Sequence, residues 1–169
     1  LARGYGVKRL GSPDKVDADT QFGIASNTKA FTALALGMLV EEGKLEWDAP
    51  VVNYLPQFMM WDSWVTRQIT VRDILVHNSG LGLGAGDLLW WPPSTYTPQE
   101  IMQRLRYIEP ATSFRSAYAY DNVLYLVAGQ LIQAVSGQSW SDFVTNRIIR
   151  PVGMKEATTT HAAAGDAEG

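Results

Sequence analysis

Two long segments of this sequence space their apolar residues as the buried face of a helix does. In the first segment, apolar residues stand at positions 31, 34, 35, 38 and 39, and Gly43 follows as a helix stop. In the second segment, apolar residues stand at positions 124, 127, 131 and 135, and Gly137 follows in the same way. The spacing predicts helices over residues 27–42 and 122–136. The chain is therefore expected to be mostly α-helical.

Strand character is confined to the start of the chain. Residues 1–10 and 21–25 are predicted to form two short strands, because the turn-forming run from Gly11 to Asp14 separates them. We divide the chain into N-terminal strands of a sheet (residues 1–25), a helical region (26–160) and a tail (161–169).

Three further helices are predicted, two of them from capping residues. Thr70 with Asp73, and Thr97 with Glu100, have the spacing of a helix N-terminus, and a short helix is expected to begin at each threonine. A last helix is predicted over residues 141–149.

The composition excludes several classes of function. A length of 169 residues is typical of a single domain. Lys and Arg number 14 against 17 Asp and Glu, so there is no basic excess to bind the phosphates of a nucleic acid. There are no cysteines and only two histidines, His77 and His161, which excludes a three-histidine zinc site, and no metal or cofactor is predicted.

No apolar run reaches the length of about 20 residues that a membrane span needs. The first residues lack the apolar core of a signal peptide, and the localisation is left open.

Ser26 and Lys29 are the first candidates for catalysis. They stand three positions apart at the start of a predicted helix, so their side chains lie one turn apart on one face, and Lys29 can accept the Ser26 proton. The helix start also offers free backbone N–H groups that can stabilise an oxyanion. Ser12 and Lys15 have the same spacing, but they stand in a predicted turn, where the side chains need not meet. The alternative for Ser26 is an N-cap, a role that serine often has.

Tyr120 and Asn122 are the second pair of candidates, directly before the predicted helix over residues 122–136. A phenol can transfer a proton, and an amide can hold a substrate carbonyl or a lysine. The alternative is a buried aromatic side chain followed by a capping Asp or Asn. His77 and Ser79 offer an imidazole and a hydroxyl, but no acid of obvious role accompanies them, which disfavours a Ser-His-Asp triad.

Residues 78–86 and 90–93 contain too many helix and strand breakers for regular structure. The glycines at 80, 82, 84 and 86 match neither a phosphate-binding loop nor a dinucleotide-binding turn, and they predict a mobile loop. Trp90 and Trp91 are predicted to border the substrate cleft, because adjacent tryptophans in such a loop cannot both be buried by helical periodicity. The alternative is that one packs on the core while the other lies on the surface.

Five stretches of the chain stand in a characteristic order. They are Phe22 to Thr32, Glu42 to Pro56, Ile69 to Leu81, Tyr120 to Gly129, and Pro151 to Thr158. In this order they resemble the serine β-lactamase and penicillin-binding-protein superfamily, in its class C and esterase branch. The similarity covers nearly the whole chain.

The resemblance implies an α/β (α+β) fold of the β-lactamase and transpeptidase type, with a sheet flanked by helices. It implies Ser26 as the acylated nucleophile, Lys29 as its proton acceptor, Tyr120 as a second proton shuttle and Asn122 as a substrate anchor. A lysine acts as a base most readily when it is buried, so Lys29 is expected in a tight, largely dry site. Members usually carry Pro-Gly closely before the tyrosine, whereas Pro110 stands ten positions before Tyr120 here, and the approach to the site is expected to be reshaped.

The resemblance also implies a small-molecule substrate. The first expectation is hydrolysis of the β-lactam amide through an acyl-enzyme. A carboxylesterase or a D-amino acid peptidase of the same family, or a non-catalytic binding module, is the alternative. The third motif of the family lies on a late strand that this sequence does not include, so the remaining sheet strands are missing. The chain alone is therefore expected to hydrolyse substrates poorly, and to self-associate or pair with a complementing C-terminal segment.

Overall fold

A computed structural model describes residues 2–160 of the chain; the predicted tail, residues 161–169 with His161, lies outside the described residues. The α-helices are α1 (Thr28–Glu41), α2 (Ser63–Gln68), α3 (Pro98–Arg104), α4 (Val123–Ser136) and α5 (Trp140–Val144), the last continuing as a π-helical segment over Thr145–Ile149. Short 3-10 turns lie at Ala25–Asn27, Val51–Asn53, Asp87–Leu89 and Leu105–Tyr107. The two long predicted helices are confirmed to within one residue at each end. In the described part of the chain, no helix is long and apolar enough to cross a membrane.

The core is formed by α4, by the helices that pack on it, and by buried apolar residues of the segment 45–81. Helix α1 packs against α4 and α5, and α3 packs against α4. Trp140 of α5 donates its indole N–H to the Thr32 hydroxyl of α1 at 2.9 Å, which joins two of these helices by a partly buried hydrogen bond. The buried residues of α1 are Thr32, Ala35, Leu36 and Leu39. This face is turned by about one residue from the predicted one, and Leu34 is consequently 51% exposed.

Capping explains where α3 begins and where α4 ends. Thr97 and Glu100 form a complete capping box, in which each side chain accepts from the other residue's backbone N–H, and α3 begins there as predicted. Gly137 ends α4 with a φ of 73°, a left-handed conformation that glycine adopts at little cost.

The predicted helix at Thr70 is wrong. Thr70 and Asp73 do exchange hydrogen bonds, with the Thr70 N–H donating to the Asp73 carboxylate at 2.9 Å. However, the chain continues as hydrogen-bonded turns. The N–H groups of Leu75 and Val76 donate to the carbonyls of Arg72 and Asp73, three positions back, and not four positions back as in an α-helix.

The predicted N-terminal strands are also wrong for the described residues. Residues 2–25 make a single antiparallel bridge, between Val7 and Lys15, and no strand is found elsewhere in residues 2–160. A strand needs a partner along its length, and one bridge leaves the neighbouring backbone unpaired. Large apolar side chains of this segment are therefore exposed: Tyr5, Leu10, Phe22 and Ile24.

Candidate active site

Ser26 lies on the 3-10 turn Ala25–Asn27 that leads directly into α1, and it is exposed. The preceding Ala25 has a φ of 44°, a region that residues with a Cβ rarely adopt. Backbone strain of this kind clusters at functional sites. The N-cap of α1 is Asn27, and no side chain makes a capping hydrogen bond there. The alternative role of Ser26 as an N-cap is therefore wrong.

Lys29 approaches Ser26 from one turn along α1. Its Nζ donates to the Ser26 Oγ at 3.2 Å and to the Asn122 Oδ1 at 2.7 Å. The ammonium also lies 4.7 Å from the ring centre of Tyr120 and 5.2 Å from that of Tyr125, and both rings stabilise a cation at this distance. Lys29 is only half-buried, so the expectation of a tight, largely dry site is wrong for residues 2–160. Its neighbours within this part of the chain leave one side of the lysine open to solvent.

Tyr120 reaches the same oxygen from the other side. Its phenol donates to the Ser26 Oγ at 2.7 Å, although the two residues are 94 positions apart. Hydrogen bonding to Lys29, and then to Ser26, lowers the pKa of the Tyr120 phenol below its ordinary value. A lowered pKa makes this O–H a better proton donor near neutral pH.

Asn122 is the N-cap residue of α4, and its side chain joins the site instead of capping the helix. The carbonyl oxygen of its amide accepts from Lys29, and its Nδ2 donates to the Asp87 carboxylate at 3.0 Å. Asp87 was not among the residues singled out from the sequence. No local pattern marks it, because it stands 35 positions before Asn122, between the two breaker-rich stretches, residues 78–86 and 90–93.

Glycines allow the segment around Asp87 to approach the start of α4 closely. Gly86 has a φ of 83°, and a Cβ at this position would lie 3.2 Å from the side chain of Val123. The Gly84 N–H donates to the carbonyl of Tyr120 at 3.1 Å. This loop, predicted to be mobile, is thus hydrogen-bonded to the segment that carries the site.

Three buried polar residues, His77, Ser79 and Asp121, lie behind Tyr120. The His77 ring lies 4.5 Å from the Tyr120 ring, and its Nδ1 accepts the backbone N–H of Asp121 at 3.2 Å. Ser79 donates its hydroxyl to the Asp121 carboxylate at 3.1 Å and not to the imidazole. Because His77 accepts from backbone and Ser79 is bound to the acid, these residues support Tyr120 and do not form a catalytic triad.

Burial shifts the pKa values of this cluster. Desolvation, and then the charge of Lys29, lowers the pKa of His77, which favours the neutral imidazole. Desolvation raises the pKa of Asp121 to about 6.

A second polar cluster holds the segment that leads to Tyr120. Arg115 donates to both oxygens of the buried Asp73, from Nε at 3.0 Å and from Nη2 at 2.6 Å. The backbone N–H groups of Arg115 and Ala119 donate to the carbonyls of Asn78 and His77 at 2.8 and 2.9 Å. The segment between Pro110 and Tyr120, whose length departs from the family pattern, is thus held by hydrogen bonds at Arg115 and Ala119.

The remaining candidates lie apart from the hydrogen bonds at Ser26. Trp90 is partly buried against the core, and Trp91 is 64% exposed, the arrangement that the alternative for this pair predicted. Their role at a substrate cleft stays a prediction. Ser12 accepts from the Asp14 N–H at 3.2 Å within a turn, as expected for a coincidental match of spacing with Lys15. Among residues 2–160, no group of three or more His, Cys, Asp or Glu could hold a metal ion.

Comparison with known proteins gives both sequence and structural relatives. The family profile described as Beta-lactamase matches residues 1–169. The chain is 34% identical over 161 residues to the Unguisins hydrolase ungD' of Aspergillus campestris, covering 90% of this chain and 29% of that protein. It is 30% identical over 173 residues to the Protein flp of Staphylococcus aureus strain MW2, covering 94% of this chain and 32% of that protein. The chain thus spans about a third of the length of these relatives.

Two solved structures share the arrangement of the described helices. The octameric penicillin-binding protein homologue from Pyrococcus abyssi has a TM-score of 0.79 and 28% identity, covering 95% of this chain and 37% of that one. The D-amino acid amidase from Ochrobactrum anthropi SV3 has a TM-score of 0.73 and 29% identity, covering 89% of this chain and 41% of that one.

Proposed function

The chain belongs to the β-lactamase family of serine hydrolases, and we propose that Ser26 is the nucleophile on which an acyl-enzyme forms. The observation that carries the proposal is the position of the Ser26 Oγ, which lies 3.2 Å from the Lys29 Nζ and 2.7 Å from the Tyr120 hydroxyl. These distances are within reach of direct proton transfer. A structural serine on an exposed turn needs neither contact.

Acylation uses these groups as follows. Lys29, as the neutral amine, accepts the Ser26 proton while Oγ attacks the carbonyl carbon of the substrate. The tetrahedral intermediate then collapses, and the bond from this carbon to the leaving nitrogen or oxygen breaks. Tyr120 donates its proton to the leaving group and regains one from Lys29. Water then attacks the acyl carbon and loses a proton to the same pair. The bond from this carbon to the Ser26 Oγ breaks, the Oγ takes that proton back, and the acid is released.

The first substrate class that we propose is the β-lactam, whose strained amide reacts with an activated serine. A second class, the amides and peptides of D-amino acids, is favoured by the similarity to a D-amino acid amidase and to a D-stereospecific amidohydrolase from Streptomyces sp.. Carboxylesters are a third class that the same chemistry can use, because their leaving groups are easier to expel. In each case the substrate is a small molecule that enters from the exposed side of Ser26.

The test is covalent labelling of the protein in its full natural length. A fluorescent penicillin and a fluorophosphonate are each incubated with the wild type, with Ser26→Ala and with Ser12→Ala, and the labelled peptide is identified by mass spectrometry. We expect an adduct on Ser26 that Ser26→Ala abolishes and Ser12→Ala retains. Ser12 is the matched control, because it has the same spacing to a lysine without the contacts.

Turnover then separates the substrate classes. Nitrocefin, a p-nitrophenyl ester and a D-amino acid amide are compared for kcat/KM, each with Ser26→Ala as the blank. An adduct on another residue would refute the assignment of Ser26. Labelling by neither probe would instead support a non-catalytic binding or structural module.

A further inference from the structure

The amide of Asn122 is held at both of its ends by charged groups. Its Oδ1 accepts from the Lys29 ammonium at 2.7 Å, and its Nδ2 donates to the Asp87 carboxylate at 3.0 Å. An ammonium only donates hydrogen bonds, and an ionised carboxylate only accepts them. The reversed amide would therefore place donor against donor at Lys29 and acceptor against acceptor at Asp87.

We propose that Asp87 is a positioning residue that keeps the Asn122 carbonyl turned toward Lys29 throughout the reaction. This inference rests on the proposed function, because it assumes that Lys29 changes its protonation state there. As an ammonium, Lys29 holds the amide in this orientation by itself. As a neutral amine, Lys29 has a lone pair and can also accept from an N–H, so it no longer discriminates between the two orientations. Asp87 then supplies the discrimination.

Asp87 is itself held firmly by the backbone around it. Its N–H donates to the Gly84 carbonyl at 3.1 Å, and its own carbonyl accepts from the N–H groups of Trp90 and Trp91 at 3.1 and 2.9 Å. A Cβ on Gly84 would come within 3.4 Å of the Asp87 Oδ2, so the loop passes close to the carboxylate that binds Asn122. A carboxylate fixed on this turn can set the orientation of its partner.

The hydrogen bonds of Asp87 favour a role at the site over a role in stability. Its second oxygen, Oδ1, is buried without a hydrogen-bond partner among the described residues. A buried acceptor in this state costs stability, so a carboxylate is a poor choice for holding the loop alone. The contact from Oδ2 to Asn122 is its only side-chain hydrogen bond identified in residues 2–160.

Two substitutions separate orientation from charge. Asp87→Asn removes the charge but keeps a carbonyl oxygen that can accept from the Asn122 Nδ2. Asp87→Leu keeps the branched shape and the number of side-chain heavy atoms, and it cannot accept a hydrogen bond. Asp48→Leu is the matched control, because Asp48 is an exposed loop carboxylate paired with Arg72.

The experiment uses the protein in its full natural length. The acylation rate constant with a fluorescent penicillin is measured for each variant, together with the side-chain amide resonances of Asn122 by NMR. We expect Asp87→Leu to slow acylation by about 10- to 100-fold with little change in the probe concentration at half-saturation. Asp87→Asn should stay within about threefold of the wild type, and Asp48→Leu should match the wild type. In Asp87→Leu, the Asn122 amide protons should exchange faster with solvent.

The outcomes distinguish this inference from the function on which it rests. Wild-type protein that forms no adduct would refute the proposed function, while the Asn122 resonances, which need no reaction, would still decide the role of Asp87. Asn122 resonances that are the same in Asp87→Leu and in the wild type would overturn the inference. So would an Asp87→Asn variant as slow as a folded Asp87→Leu, because charge and not orientation would then be the cause. If Asp87→Leu does not fold, Asp87→Ala, which also removes the acceptor, replaces it in both measurements with the same expected results.

Discussion

Replacing Arg115 by Ala should destabilise the protein, because it leaves a buried carboxylate without its charged partner. Asp73 is only 4% exposed, and Arg115 binds both of its oxygens. Burial alone would raise the pKa of Asp73, but the hydrogen bonds from Arg115, and then those from Thr70, outweigh burial and lower it. The net lowering shows that the ionised form is stabilised in the folded state.

The magnitude follows from the exposure of the two partners. Breaking a fully buried ion pair by removing one partner costs about 3–5 kcal/mol. The Arg115 side chain is 49% exposed, so water already screens part of the attraction and can enter the space that it leaves. Thr70 also continues to donate to Asp73. We therefore expect Arg115→Ala to lower the free energy of unfolding by about 2 kcal/mol at pH 7.

The control is Arg72→Ala. Arg72 also makes two hydrogen bonds to one carboxylate, that of Asp48, at 2.7 and 3.0 Å, but both partners are exposed. Pairs of this kind contribute little to stability, so the loss should be clearly smaller than for Arg115→Ala. Urea denaturation followed by circular dichroism measures both losses. Equal losses for the two variants would refute the argument from burial.

The dependence on pH adds an independent check. The pKa of Asp73 is lower in the folded state than in the unfolded state. The stability that the ionised Asp73 contributes is therefore present above its unfolded pKa of about 4 and is lost as the pH falls through its folded pKa. The difference in stability between the wild type and Arg115→Ala should therefore shrink as the pH is lowered from 5 toward 2. A difference that stays constant over this range would mean that Arg115 acts through packing and not through charge.

Tyr120→Phe should slow acylation of Ser26 by about 100-fold or more, measured by stopped-flow labelling, because it removes the O–H that donates to the Ser26 Oγ. An unchanged rate would exclude Tyr120 from the proton path. The raised pKa of Asp121, about 6, means that the folded state binds this proton more tightly than the unfolded chain. The stability of the wild type relative to Asp121→Asn should therefore fall by about 2 to 3 kcal/mol from pH 4 to pH 7, and parallel pH profiles would contradict this. The exposed Leu10 and Phe22 should promote self-association of the 169-residue chain in sedimentation velocity, and a monomer at every concentration would speak against it. If Trp91 borders the cleft, a bound β-lactam should change the fluorescence of the wild type more than that of Trp91→Phe; equal changes would place it elsewhere.

Local features of the fold could be predicted where the hydrogen-bond partners lie within a short stretch of sequence. The capping box at Thr97 and the stop at Gly137 involve partners within a few positions, and both are present. The exposure of Leu34 could not be predicted, because its spacing fits a buried helix face equally well. Helix α1 instead packs a different face against α4 and α5. The N-terminal strands failed for a related reason. A strand depends on a partner that its own residues do not specify.

For the candidate site, the sequence by itself determined one relation, the pairing of Ser26 with Lys29. Three positions at the start of a helix bring two side chains together whatever the rest of the chain does, because the rise and turn of the helix are constant. The resemblance to a family added Tyr120 and Asn122 as partners, without a physical reason for their proximity. Only the tertiary structure brought Tyr120 to Ser26 across 94 positions and Asp87 to Asn122 across 35. Contacts at such separations depend on how helices and loops pack, and packing is decided by the whole core at once.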